Sequence, residues 1–332
     1  MKVLSTTVII PTYNMSSHLV SLWKSIVDSR LLENVESVCF WDDGSTDGTH
    51  EVLEGIAKES EKVLIKKNNR NLGRFETRFI AAQTAQTETI LFLDSRIHLP
   101  KTFAEAFREV YSNKNAVMGC VDIDVRSSLY ALYWQRSHER LFWRHYRDTK
   151  RPLWLTTQNY DDYLKGTGVL LVPREAFLNA CQVFEGQSLL SDDTYLLKEL
   201  VKACPILIYP DLRIDWIPRE TAIEFLHRLW DRGPSFVEYH VFQRRGAFFW
   251  AVLSGLTGGF ILIILFALWP RIALNLLLGI MGALFLSAGL FAKNPIEAVK
   301  LLPLHLGVIF SFGAGIIRGL WVNLNKETHH AS

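Results

Sequence analysis

The sequence predicts an α/β fold, a mainly parallel sheet with helices on both faces, followed by an α-helical membrane part of two to three transmembrane helices. Two patterns carry this. Up to about residue 210, short β-branched runs alternate with helix-like stretches, and from residue 247 the chain becomes almost continuously apolar. Strands alternating with helices of roughly 10–15 residues mean βαβ units and a parallel sheet. Apolar runs of about 20 residues are what the hydrocarbon core of a bilayer demands.

The strands are expected at 7–10, 35–41, 62–66, 89–93 and 116–121, with helices at 16–29, 47–60, 72–86 and 101–112 between them. Ser16 stands before "SHLVSLWKSI", and Asp47 precedes "THEVLEGIA" with Glu51 in the following turn, both signals of a helix start. In sheets of this kind ligands bind beyond the carboxyl ends of the strands. That rule singles out Pro11–Asn14, Asp42–Asp47, Lys67–Gly73 and Asp94–Arg96.

Composition narrows the class. Net charge is +2 and charged residues make up 21% of the 332, which argues against a nucleic-acid-coating protein or a disordered tail. Cys39, Cys120, Cys181 and Cys204 are scattered beside apolar runs without C-x-x-C spacing, so they read as buried free thiols, in keeping with a reducing compartment. The apolar run at 7–10 is too short for a signal peptide and ends at Pro11, so it reads as a first strand and the chain is expected to begin in the cytosol.

The segment 247–269 has 23 residues and no charge, and 272–292 follows after only Pro270 and Arg271, as in a tight helical hairpin. A third segment, about 301–320, carries Pro303 and His305 and is read as a spanning helix, with a re-entrant or interfacial one as the alternative. Arg244, Arg245, Lys293 and Lys300 against Arg271, Arg318 and Lys326 favour a cytosolic catalytic part, making a multi-pass integral membrane protein. Between the halves, 219–246 mixes Phe225, Leu226, Leu229, Trp230 and Phe236 with Arg228 and Arg232 at helical spacing, which suits an amphipathic helix at the headgroup layer. The expected organisation is a catalytic domain over 1–215, an interfacial linker over 216–246 and membrane helices over 247–322.

The most specific chemistry lies in "FWDDGSTDGTHEVL", 40–53. Asp42 and Asp43 end a strand, where a carboxylate can accept hydrogen bonds from a ribose hydroxyl or a base N–H. An Asx-turn and a helix cap account for Asp47, but not for two further acids at the strand end, whose repulsion needs compensation.

"VIIPTYN" followed by "DDGSTDGT", then "NLGRFETRFIAAQ", "LFLDSR", "GTGVLLVPREAF" and "SDDTYLLKEL" resemble, in this order, the motifs of glycosyltransferase family 2, inverting enzymes with the GT-A fold. The resemblance covers about 1–215. It implies that Pro11, Thr12 and Tyr13 border the base, that Asp43 with Asp42 holds uracil or ribose, and that Arg78 approaches the nucleotide. Asp94 matches the leading Asp of an Asp-x-Asp pair, near ribose and metal. Asp193 matches the usual general base, with Asp192 in the place of the neighbouring Glu. Gly166 and Gly168 fall on the acceptor side, and Arg228 and Arg232 are further candidates there.

The family's second Asp binds Mg²⁺ or Mn²⁺, but here Arg96 stands in its place. Three accounts remain open. A metal binds through Asp94, the donor diphosphate, water and His98; Arg96 itself pairs with the diphosphate; or the site is degenerate. "VDIDV", 121–125, lies at another strand end and reads as acceptor-side, and 126–165 is dense in aromatics and arginines that suit either a sugar and lipid phosphate or a folded core.

The expected function is therefore a membrane-anchored glycosyltransferase. It would move a sugar from a nucleotide-sugar, UDP-linked by family habit, to a lipid-linked or membrane-proximal acceptor such as polyprenyl or dolichyl phosphate or a lipid-linked glycan. The alternatives are a polysaccharide synthase, for which no Q-x-x-R-W follows Asp193, and a catalytically inactive membrane scaffold. Nucleic acid is not an expected partner, and the oligomeric state is open.

Overall fold

The computed structural model describes residues 3–112, 114–187, 192–219, 221–242 and 246–330, the side chains of 192 and 326–330 excepted. The chain divides into two compact units, one of residues 1–124 and 142–218, the other of 125–141 and 219–332.

The first unit begins with β1 (Leu4–Thr12), α1 (Ser16–Asp28), β2 (Val35–Asp42), α2 (Thr49–Ala57), β3 (Val63–Lys67), α3 (Arg74–Thr84) and β4 (Thr89–Leu93). It continues with β5 (Ile97–His98), α4 (Phe103–Val110) and β6 (Ala116–Asp122), after which α5 (Leu129–Leu141) belongs to the second unit. The chain then returns through α6 (Trp143–Asp148), β7 (Leu153–Leu155), β8 (Val169–Pro173), α7 (Arg174–Gln182), α8 (Asp192–Ala203) and β9 (Ile206–Trp216).

Among the described residues these strands form one sheet in the order β3-β2-β1-β4-β8-β6-β9-β5, with β7 on β9. The first four strands are all parallel; β8 enters antiparallel between β4 and β6, and β6 and β9 are parallel again. Strands covered on both faces read as continuous apolar runs. Val8, Ile10, Val38, Phe40, Leu91 and Leu93 turn to a core shared with Leu19, Leu22 and Ile26 of α1, Leu53 and Ile56 of α2, and Phe103 and Phe107 of α4. Phe92 points the other way and packs on Phe177 of α7, ring centroids 4.6 Å apart. Such an aromatic pair adds about 0.5–1.5 kcal/mol beyond the area it buries. Cys39, Cys181 and Cys204 are buried, Cys120 is half-buried, and all four are free thiols.

Helix starts differ in detail from the expectation. Ser16 is the first helical residue of α1, not its cap, and both its N–H and its hydroxyl donate to Asp47 Oδ2. Asp47 Oδ1 accepts from the N–H and hydroxyl of Thr49 at the start of α2. One carboxylate thus serves two helix N-termini, which its neighbourhood in sequence with α2 alone does not reveal. Burial works against the ionised form, but these hydrogen bonds hold the Asp47 carboxyl below the ordinary aspartate range.

The second unit joins α5 to α9 (Ala222–Phe236), a π-helical turn over 237–241, α10 (Gly246–Leu268), α11 (Pro270–Ser287) and α12 (Pro295–His330). The face of α9 carrying Phe225 and Leu229 packs with Tyr133 of α5 and Leu301 of α12, while Ile223 is left exposed. The helix axes of α9 and α12 come so close that only glycine fits: a Cβ on Gly233 would lie 2.0 Å from the Gly315 carbonyl carbon, and one on Gly319 would lie 2.8 Å from the Gly233 oxygen. Asn323 Nδ2 donates to the Pro234 carbonyl at 3.1 Å, satisfying a group at the end of α9. Arg136 of α5 pairs with Glu297 of α12 at 2.5 Å, and His305 lies between the Tyr133 and Ser287 hydroxyls at 2.8 and 2.7 Å.

Among the described residues three helices are long and apolar enough to cross a membrane: Gly246–Leu268, Pro270–Phe291 and Pro295–Asn325. The third is longer than the apolar run at 301–320, since the helix already starts at Pro295 and runs on through Pro303. Phe260, Ile263 and Leu286 are each at least 64% exposed, a surface suited to hydrocarbon and not to water. Arg244, Arg245 and the Lys326 side chain, used above for orientation, lie outside the described residues.

Candidate active site

The parallel strands end level with one another: Thr12 of β1 pairs with Asp42 of β2, which pairs with Lys67 of β3. This edge gathers the first group of expected residues. Asp42 is fully buried; its Oδ1 accepts the Ser45 N–H at 2.9 Å, and its Oδ2 lies 3.5 Å from His50 Nδ1 and 3.7 Å from Lys67 Nζ. The turn that follows requires glycine, since Gly44 has φ +74° and a Cβ there would lie 2.6 Å from the Arg70 carbonyl carbon.

Asp43 reaches the loop after β3. Its Oδ1 accepts from Asn68 Nδ2 and the Leu72 N–H, both at 2.8 Å, and its Oδ2 accepts the Gly73 N–H at 2.9 Å. Asn68 is held in turn by Trp41 Nε1 and by the Thr77 hydroxyl. These bonds compensate the crowded carboxylates and fix the loop from which α3 starts. A carboxylate has about four acceptor sites, so Asp43 keeps capacity for a further donor. Lys67, Asn68, Asn69, Arg70 and Leu72 line a cavity of about 430 Å³ beside it. On β1, the Thr12 hydroxyl is spent on the Trp41 carbonyl and Pro11 is half-buried, and Tyr13, just beyond the strand, is 43% exposed.

Asp193, at the start of α8, meets the first turns of α3. Its Oδ1 accepts from Arg78 Nη1 at 2.8 Å and from the Thr167 hydroxyl at 3.0 Å, and its Oδ2 lies 3.5 Å from Arg74 Nη1. Burial would raise its pKa, but Arg74 and Arg78, helped by the Thr167 hydroxyl, outweigh burial and hold the carboxyl below the ordinary aspartate value. The residue next to Thr167 carries the other strand-end acid: the Asp94 N–H donates to the Gly168 carbonyl at 3.0 Å. The Gly166–Gly168 segment therefore touches both Asp94 and Asp193. A Cβ at Gly166 would meet no atom within 4 Å, so open space, not crowding, surrounds it.

Arg96 turns aside from that segment. Its Nη2 donates to the Pro218 carbonyl at 3.0 Å and its Nε to the Ile217 carbonyl at 3.4 Å, while its own N–H donates to Asp94 Oδ1 at 3.2 Å. His98 Nε2 is bonded to the Ser21 hydroxyl at 3.0 Å. Asp122 faces Arg213 at 2.7 Å across β6 and β9, with Asp215 beside it in register. Burial, then the charge of Asp122, raises the pKa of Asp215. Among the described residues no group of three or more His, Cys, Asp or Glu side chains could hold a metal. Asp94 offers one carboxylate, so an ion here would draw its other ligands from a bound diphosphate and water.

Arg228 and Arg232 belong to the second unit, where the Arg232 guanidinium stacks 4.4 Å from the Trp134 ring. The Asp192 side chain lies outside the described residues. Sequence reasoning missed Arg74, Thr167 and Asn68. Arg74 stands four residues before Arg78, which puts both on one face of a helix, and that spacing was the available signal.

The parallel strands end beside the paired acids Asp42 and Asp43, and the carboxylate held by arginines lies next to a glycine-flanked strand, which places the candidate site at the carboxyl-end edge of an α/β sheet. Residues 7–169 match the model described as Glycosyl transferase family 2, and the chain belongs to that family: it is a glycosyltransferase. Among solved structures it is similar to the mannosyltransferase PcManGT from Pyrobaculum calidifontis, solved in complex with GDP-Man and Mn²⁺, at 17% identity and a TM-score of 0.60, covering 97% of this chain and 88% of that one. At this identity the likeness speaks for the fold. TarS of S. aureus matches at 18% identity and a TM-score of 0.46, over 70% of this chain and 39% of that one. No curated protein matches in sequence.

Proposed function

We propose that the protein is a membrane-anchored inverting glycosyltransferase that moves one sugar from a nucleoside-diphosphate sugar to a lipid-linked or membrane-proximal acceptor. The observation that carries this reading is Asp193, an ionised carboxylate held at the carboxyl-end edge of the sheet by Thr167, Arg74 and Arg78. Inversion requires the acceptor oxygen to attack the anomeric carbon opposite the departing diphosphate. Asp193 takes the hydroxyl proton as that bond forms, and positive charge stabilises the leaving group. Asp43, Tyr13 and the Lys67–Leu72 loop hold the nucleotide, with Asp42 behind them. A divalent cation, Mg²⁺ or Mn²⁺, would sit on Asp94 and neutralise diphosphate charge.

The donor is a UDP-sugar by family habit, and GDP-mannose enters as a second candidate because PcManGT was solved with GDP-Man and Mn²⁺. Three apolar helices support multi-pass insertion and a lipid-linked acceptor, and the placement of lysines and arginines around them supports a catalytic unit on the cytosolic side. An acceptor phosphate, unlike a hydroxyl, is already ionised and needs no base.

The test is a thermal-shift screen of UDP- and GDP-sugars on the full-length protein in detergent, with and without EDTA. A bound donor raises apparent stability by mass action. A shift abolished by Asp43→Ala supports the reading, and no shift with any nucleotide-sugar overturns it. EDTA sensitivity lost in Asp94→Asn assigns the cation to Asp94.

A further inference from the structure

Between β7 and β8 the chain makes a short 3₁₀ turn, Tyr160–Asp162, and two polar side chains near it are drawn deep into the protein. Tyr160 is 2% exposed, and its hydroxyl donates to the Thr194 carbonyl, one residue past Asp193. The Lys165 side chain is 12% exposed; its Nζ donates to the Tyr160 and Tyr163 carbonyls at 2.6 and 3.0 Å and stands 4.2 Å from the centre of the Tyr160 ring. Burial pushes the Lys165 pKa down to about 8, with the Asp161 carboxylate 3.9 Å away working against it. Taking an ammonium so far out of water costs free energy unless it is held by acceptors. Two residues beyond Lys165, the Thr167 hydroxyl donates to Asp193 Oδ1 at 3.0 Å. Its neighbours Gly166 and Gly168 have no side chains to anchor the segment. Its place is set from the ends, by β8 on one side and by the Lys165 side chain on the other. The same turn thus reaches Asp193 twice, through Thr167 to its carboxylate and through Tyr160 to the backbone beside it.

We propose that Tyr160 and Lys165 are positioning residues for Asp193: they hold the Thr167 hydroxyl and the first turn of α8 in one register, so that the carboxylate stays aimed while a proton passes to it. This rests on the reading of Asp193 as the base and adds the frame that orients it. Both side chains act through Thr167 and the α8 backbone, without touching the reacting atoms. A frame that merely stabilised the fold would leave the ionised carboxylate with the same surroundings, whereas one that aims Asp193 changes them when it is loosened.

The test reads thermal midpoints of the full-length protein in detergent, from about pH 7 to about pH 3, for the wild type, Asp193→Asn, Tyr160→Phe and the double variant. The Asp193 carboxyl is held below its ordinary value, so its protonation adds an acid-side loss of stability that Asp193→Asn lacks. Lys165 keeps its proton across this range, so the gap between the two curves reports Asp193. In the Tyr160→Phe background that gap is expected to shrink by at least about half, the coupling that a double-mutant cycle isolates. Lys165→Met, similar in length and without a donor, is expected to shrink it likewise and keeps the test open should Tyr160→Phe fail to fold. A gap left intact, with both midpoints lowered equally at every pH or not at all, overturns the positioning role, as does the absence of any gap between the wild type and Asp193→Asn. The reading of Asp193 as the base fails separately: the gap would then shrink as expected while Asp193→Asn retained full transfer from UDP- or GDP-sugars to a hydroxyl acceptor.

Discussion

Gly44 and Asp43 show how closely single residues set this site. Gly44 combines a left-handed backbone with a carbonyl carbon 2.6 Å from where a Cβ would stand. Gly44→Ala is therefore expected to destabilise by at least about 2 kcal/mol and to push the Arg70–Gly73 loop off Asp43. The checks are a lowered thermal midpoint and weakened nucleotide-sugar binding; unchanged values for both would count against the clamp. Asp193 makes a second residue-scale prediction. A carboxyl held below its unfolded value of about 3.9 contributes stability above that value and loses it as pH falls through the folded one. Between pH 5 and 3 the wild type should thus lose thermal stability more steeply than Asp193→Asn, as read by paired melting curves; parallel curves would contradict the ion pair.

At the scale of elements, the crossing of α9 and α12 rests on Gly233, Gly315 and Gly319. Gly315→Leu forces backbones apart where the Trp230 carbonyl oxygen lies 2.6 Å from a Cβ, an overpacking expected to cost about 1–3 kcal/mol. Inactivation on heating in detergent should shift to lower temperature, while Gly313→Leu, at a position open within 4 Å, should leave it unchanged. Much of the first unit was legible in the sequence. The runs at 35–41 and 89–93 became β2 and β4 nearly residue for residue, because β4 throughout and β2 from Val38 onward are buried on both faces and leave apolar runs. The antiparallel placement of β8 was not legible, since it depends on pairing with β4, far away along the chain. Nor was the departure of α5 into the second unit: its Tyr133 and Arg136 find partners in His305 and Glu297, more than a hundred residues away. The candidate site was read as individual carboxylates; that Asp43 clamps a loop and Asp193 faces two arginines emerges only from the folded geometry.

For the whole molecule, the combination of a family 2 glycosyltransferase unit with three helices apolar enough to span a bilayer frames the proposed activity at a membrane surface. Departure from the family pattern at residue 96 does not remove the acid at Asp94 or the arginines facing Asp193, so the account expects an active enzyme. The most direct measurement is transfer of radiolabelled sugar from a panel of UDP- and GDP-sugars into a lipid fraction by the purified full-length protein in detergent. The account predicts label in the lipid for one donor, with a rate about 10²–10⁴-fold lower in Asp193→Asn when the acceptor is a hydroxyl. No label from any donor, together with no nucleotide-sugar binding, would contradict it.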